Sequence, residues 1–197
     1  MWIIIDTEFT AWEGSQERNW SKKNEYKELV QIGYLIFDNN YIIKKTGSIY
    51  FKPRYNPKLS KYFINLTKIN QKKIDKKGLD FNIGIKKFWS IVDNNTILSF
   101  GDDIKIIKEN YKIYHEDYPK IKNKIVNIIN VLDKTNINIK NEISGNLYKL
   151  TNYKILDPDI HNAEWDVYSI FLFIKHFKLI NLINNYLNLK NPIHQKL

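Results

Sequence analysis

The 197-residue sequence predicts an α/β domain built on a mixed sheet. Three observations predict it. Apolar runs at Trp2–Phe9, Leu29–Phe37 and Tyr41–Phe51 come early and read as an antiparallel meander. A short buried run, Thr96–Phe100, follows and ends at Gly101. Segments with helical apolar spacing, Phe81–Val92 and Ile160–Phe177, flank that later strand, giving the order β-β-β-α-β-α-β-α.

Each element has a local reason. Trp2–Phe9 is apolar on both faces and reads as a buried strand. Trp12 to Lys27 is polar, with Gly14, Ser15 and Lys22-Lys23, and reads as a surface loop over or beside a site. Asp38-Asn39-Asn40 is a turn between the second and third strands. Pro53 and Pro57 mark a loop, and Leu59–Asp75 holds short helical pieces. Asp102 is placed to cap a helix running to about Tyr114. Lys124–Leu132 is a strand candidate that periodicity does not separate from helix. A short helix is expected at about Leu147–Thr151, after Gly145 and Asn146. Pro158 and Asp159 signal the start of the strongest helix, and Leu179–Leu189 is a weaker final one. One domain over 1–197 is expected, with its core at about 2–177 and a C-terminal helix over 178–197.

Composition excludes several functions. There is no Cys, so disulfides, zinc–thiolate sites, iron–sulfur clusters and a cysteine nucleophile are ruled out. Asp6 interrupts the opening apolar run too soon for a signal peptide, and the other runs fall short of the roughly 20 residues of a membrane span. A soluble cytoplasmic protein without a membrane partner is the expectation. The net charge of +10 suits a polyanion such as nucleic acid. An AT-biased genome rich in Lys, Asn and Ile codons would also produce it, and only Arg18 and Arg54 are arginines.

Three groups of residues carry chemistry. Asp6 and Glu8 share one strand face, about 7 Å apart. Two carboxylates in an apolar strand repel each other unless a hard divalent cation neutralises them or the strand end reaches solvent. Asp102 and Asp103 follow a strand and a glycine, which fits a metal ligand at a strand's carboxyl end and fits helix capping equally in kind. His161 lies near the start of the strongest helix, with Asp166 five residues later. A histidine titrates near neutrality and suits a general base. His115, His176 and His194 have no comparable setting.

Together, Asp6-Thr7-Glu8, Asp103, and His161 with Asp166 resemble the DEDDh exonucleases, over about Trp2 to Phe177. Glu28-Leu29-Val30-Gln31-Ile32-Gly33 resembles that family's second strand. Leu66-Thr67-Lys68-Ile69-Asn70-Gln71 resembles a segment of its Eri and KapD-like branch. Gly145-Asn146-Leu147 also fits. The resemblance implies an RNase H-like fold and 3′→5′ removal of nucleoside 5′-monophosphates. It implies two Mg²⁺ or Mn²⁺ ions held by Asp6, Glu8, Asp103 and Asp166, with His161 as the base. Asp102 is the alternative to Asp103. Phe9 and Thr10 stand where relatives contact the terminal nucleotide, and Phe9 is equally placed to be core.

The implied partner is the single-stranded 3′ end of RNA or DNA, with RNA favoured by the Eri-like segment. Trp12, Trp20, Arg18 and Lys22-Lys23 of the long loop could hold such an end by stacking and charge, or simply pack on the domain. The lysine pairs 72–73, 76–77 and 86–87 fit a solvated face or phosphate contacts. Many relatives dimerise, which leaves a homodimer open, but the sequence carries no interface signal. A DNA-trimming exonuclease and a nucleic-acid-binding module without catalysis are the competing readings.

Overall fold

The computed structural model describes residues 1–139 and 141–190. Trp2–Phe9 forms β1 and Leu29–Phe37 forms β2, with the bounds their apolar runs predict. They pair antiparallel, with Asp6 opposite Gly33 and Glu8 opposite Gln31. Ile43–Tyr50 is β3, antiparallel to β2. It begins after Tyr41, whose positive φ closes the turn that the Asp38 carboxylate organises through the Asn40 and Ile42 N–H groups. Thr96–Ser99 (β4) lies parallel to β1, and Ile125–Asn127 (β5) parallel to β4. The sheet order is β3-β2-β1-β4-β5, which leaves β1 central.

Alternation along β1 divides the core in two. Trp2 and Ile4 face one layer, and Ile3 and Ile5 the other. The first layer is covered by α6 (Ala163–His176) and α7 (Ile180–Lys190), through Val167, Ile170, Phe171, Ile174 and Ile183. The second is covered by α3 (Phe81–Val92) and α4 (Asp103–Ile113), through Ile85, Phe88, Ile104 and Ile107. Each such fully buried side chain contributes about 1.5–3 kcal/mol. Two short helices, α1 (Lys61–Thr67) and α2 (Gln71–Lys77), pack on Val30 through Phe63 and Ile74. Buried Glu28 ties their approach to β2. Its carboxylate accepts from the Arg54, Tyr55 and Asn56 N–H groups at 2.7–2.9 Å and from the Tyr114 hydroxyl at 2.7 Å.

Three expectations need correction. Lys124–Leu132 is half strand and half helix, because the Asn127 side chain accepts from the Ile129 N–H and starts α5 (Ile128–Leu132). The short helix after residue 143 is a 3-10 helix over Ser144–Leu150. The strongest helix starts at Ala163, not near Ile160: His161 has a φ of 65°, which no helix interior tolerates, and Asn162 caps from an extended conformation. Residues 191–197 of the expected C-terminal helix lie outside the described residues. Among those described, no helix is long and apolar enough to cross a membrane.

Candidate active site

The carboxyl ends of β1 and β4 meet at one end of the sheet, where ligands of α/β folds gather. Asp6 and Glu8 leave β1 on the face that α6 covers. A register shift between Glu8 and Phe9 marks a bulge beside them. Asp103 enters from the first turn of α4 and is buried, with the Thr7 hydroxyl donating to its Oδ1 at 2.8 Å. Asp102 sits at the N-cap position but makes no capping hydrogen bond; its exposed carboxylate lies 3.6 Å from Lys105 Nζ. The geometry thus separates the adjacent acids, turning one inward and one to solvent.

Asp166 comes from the first turn of α6 and is 2% exposed. Two glycines let it approach. Gly33 stands opposite Asp6, and a Cβ there would lie 2.1 Å from the Ala163 carbonyl oxygen. A Cβ on Gly145 would lie 2.5 Å from Asp166 Oδ1. Gly33→Ala is therefore expected to push α6 away from β2. It should cost about 1–3 kcal/mol, the usual range for overpacking, and reduce any activity of the site even where the variant stays folded. Thermal melting and a rate measured well below the melting point check both effects. A variant with the parent's melting point would show that α6 yields freely.

His161 lies just outside α6, with a ligand atom within 4.8 Å of those of Glu8 and Asp166. Burial lowers its pKa. Its neighbour Asn162 is held by Gln31, whose Nε2 donates to Asn162 Oδ1 at 3.0 Å while its Oε1 accepts from the Ala163 N–H. The Ser144 hydroxyl donates to Asp166 Oδ2 at 3.0 Å. Sequence reasoning misses Thr7, Gln31 and Ser144 as parts of the site. Only the neighbouring Gly145-Asn146 points to Ser144, and only its place opposite Glu8 points to Gln31.

The acids are held at a cost. Burial, then the charges of Asp103, Asp166 and Glu8, raises the Asp6 pKa well above the carboxylate range. Burial and the charges of Asp166 and Asp103 do the same to Glu8. Burial pushes Asp103 up to about 6 against the Thr7 hydrogen bond, and Asp166 up to about 7 against that of Ser144. Among the described residues none of these acids makes an ion pair. Asp166 Oδ1 is buried with no hydrogen-bond partner. Oxygen donors converging around an unpartnered carboxylate atom fit a hard divalent cation.

A cleft of about 490 Å³ opens beside the acids, lined by Phe9, Trp20, Lys27 and Tyr62 among others. The Trp20 ring packs on Phe9 at 5.4 Å between centres, and its indole N–H donates to the Thr10 carbonyl. Lys27 lies over the same ring. Trp12 does not line the cleft. Arg18 is engaged by Glu25 and the Glu13 carbonyl. Thr10 is the expected contact that the structure does not bring to the cleft. It is buried, its hydroxyl bonds within the loop, and its N–H and carbonyl are both used.

Comparison with solved structures gives the fold. The nuclease domain of 3′hExo, a DEDDh family member bound to rAMP, aligns with a TM-score of 0.72 at 20% identity, over 91% of this chain and 90% of that one. The complex of E. coli exonuclease I with ssDNA aligns at 0.71 and 15% identity, over 96% of this chain and 43% of that one. The fold is that of the RNase H-like nucleases. A family model described as Exonuclease (RNase T) matches residues 3–172, and the chain belongs to this family. The probable 3′-5′ exonuclease KapD of Bacillus subtilis (strain 168) is 32% identical over 120 residues, 59% of this chain and 56% of its own. The chain therefore spans little more than half the length of that relative.

Proposed function

We propose that the chain is a metal-dependent 3′→5′ exonuclease that releases nucleoside 5′-monophosphates from single-stranded nucleic acid, with RNA preferred. The observation that carries this reading is the gathering of Asp6, Glu8, Asp103 and Asp166, whose charges act on one another, with Glu8, Asp166 and His161 bringing ligand atoms within 4.8 Å and, among the described residues, no cation paired to the acids. Asp6, Glu8, Asp103 and Asp166 would hold two Mg²⁺ or Mn²⁺ ions, which supply charge stabilisation for an in-line displacement at phosphorus. His161 accepts the proton of the attacking water, and its lowered pKa keeps the imidazole neutral for that purpose. Gln31 holds Asn162, so the left-handed turn at His161 has a fixed base. Phe9 and Trp20 offer a ring surface on which a terminal base stacks. The preference for RNA rests on the likeness to 3′hExo, whose structure holds rAMP, and on the Eri-like segment at 66–71.

The test is a time course on 5′-labelled RNA and DNA of one sequence, with Mg²⁺, Mn²⁺ or EDTA, and with Asp6→Ala beside the parent. A ladder shortening from the 3′ end, absent with EDTA and with Asp6→Ala, is expected. No shortening of either strand with metal present would overturn the reading in favour of a binding module.

A further inference from the structure

We propose that a groove at the outer edge of β3 binds the phosphodiester backbone of the substrate strand on the 5′ side of its terminal nucleotide, through Lys73, Lys77 and Lys87. The proposal rests on the exonuclease reading above and extends it to the rest of the strand.

The groove has a volume of about 540 Å³ and is lined by Ser48, Tyr50, Lys73, Lys77, Lys87 and Glu164, with apolar side chains at its floor. By sequence, the lysine pairs 72–73, 76–77 and 86–87 are indistinguishable from a solvated face. The fold separates the members of each pair. Lys73, Lys77 and Lys87 line the groove, Lys73 half-buried and the other two exposed at its rim, whereas Lys72, Lys76 and Lys86 are exposed and do not line it. Lys73 and Lys77 stand four residues apart on α2 and so share a face, while Lys87 reaches the groove from α3. Among the described residues none of the three makes an ion pair. The one lining acid, Glu164, accepts from the Ser48 hydroxyl at 2.8 Å. Lys73 Nζ lies 4.7 Å from the centre of the Tyr50 ring, which steadies its stem and leaves ammonium donors free.

The groove is also in the right place. Gln31 pairs with Glu8 on one side and with Tyr50 on the other. The groove therefore begins two strand spacings from Glu8, about 10 Å. Gln31 Nε2 joins the two regions, reaching the Tyr50 hydroxyl at 3.2 Å and Asn162 Oδ1 at 3.0 Å. A strand whose 3′ end lies at the acids meets the lysines within a few nucleotides. Three ammonium groups against one carboxylate leave a net positive charge at that distance from a phosphodiester-cleaving site, which matches a chain of phosphates and no neutral ligand.

Two triple variants of equal charge test the groove. Lys73→Ala, Lys77→Ala, Lys87→Ala empties it, and Lys72→Ala, Lys76→Ala, Lys86→Ala removes the other member of each pair. Affinity for a fluorescein-labelled 12-nucleotide RNA is read by anisotropy in EDTA over a series of salt concentrations. The groove triple is expected to bind about tenfold more weakly at moderate salt, with the slope of log K against log salt reduced by about 2, the value for three single-strand phosphate contacts. The control triple should stay within twofold of the parent. Equal weakening by both triples, or none by either, would overturn the proposal. If the alanine triple does not fold, glutamine at the same three positions gives the same comparison. Hydrolysis with Mg²⁺ or Mn²⁺ is assayed separately on the parent. Failure there counts against the exonuclease reading, and the salt slopes decide the groove in either case.

Discussion

Asp166→Asn is expected to lower exonuclease activity on the order of 10³-fold or more, and to make the metal-free protein more stable near neutral pH. Both effects come from one carboxylate. Asp166 is pushed up to about 7 and Asp103 to about 6, chiefly by burial. An unfolded carboxyl titrates near 4. Between those values the folded state binds more protons than the unfolded one, so stability falls as pH rises. The contribution is complete below about pH 4 and is lost as pH passes through about 7. A pKa that differs by one between the folded and unfolded chain is worth about 1.4 kcal/mol. The melting temperature in EDTA should therefore fall by several degrees between pH 5 and 8. Asn carries no charge and removes its share of that fall. Added Mn²⁺ should raise the parent's melting point at pH 7.5 and raise the variant's less. A parent melting point that is flat across this range and unmoved by Mn²⁺ would show that the acids are not a set built around a cation.

His161→Ala is expected to slow hydrolysis by about 10²–10⁴, the usual contribution of a general base. The parent's rate should rise with pH and level off, with a midpoint below the ordinary histidine value of about 6.5, since burial disfavours the imidazolium. The rise should be absent from the variant. Because His161 lies so close to Glu8 and Asp166, it is also placed to ligate. Melting with and without Mn²⁺ separates the two roles. A base leaves the metal-dependent gain intact when removed, whereas loss of that gain would make His161 a ligand. An unchanged rate would refute the assignment as base.

Legibility in the sequence follows the range of the interactions. β1, β2 and α3 have the predicted bounds because each is an apolar run closed by local turn or capping residues. The start of α6 departs from expectation because Pro158 and Asp159 are local signals, and the competing ones act at long range. Gln31 fixes Asn162 across 131 residues, and Gly33 admits Ala163 to the sheet. The acids can be recognised as an ordered set of residue types. Thr7, Gln31 and Ser144 cannot, since a lone Thr, Gln or Ser has no pattern until the fold supplies its partner. The lysine pairs show the same limit, for only the packing of α2 and α3 decides which member of each lines the groove. Thr10 fails in the other direction: its hydrogen bonds within the loop consume the groups expected to meet a nucleotide.

The covering of the Trp2–Ile4 face by α6 has a consequence for biosynthesis. The meander of β1 to β3 leaves the ribosome long before Ala163–His176, which seals it. At ordinary elongation rates the interval between Phe37 and Ala163 is on the order of 10 s. During that time Trp2, Ile4, Leu35 and Phe37 lack the α6 side chains that cover them. A nascent chain stalled before α6 would therefore present a sticky sheet surface to chaperones. It would also lack Asp166 and His161, so the helix that hides the apolar face is also the one that delivers the final acid of the set.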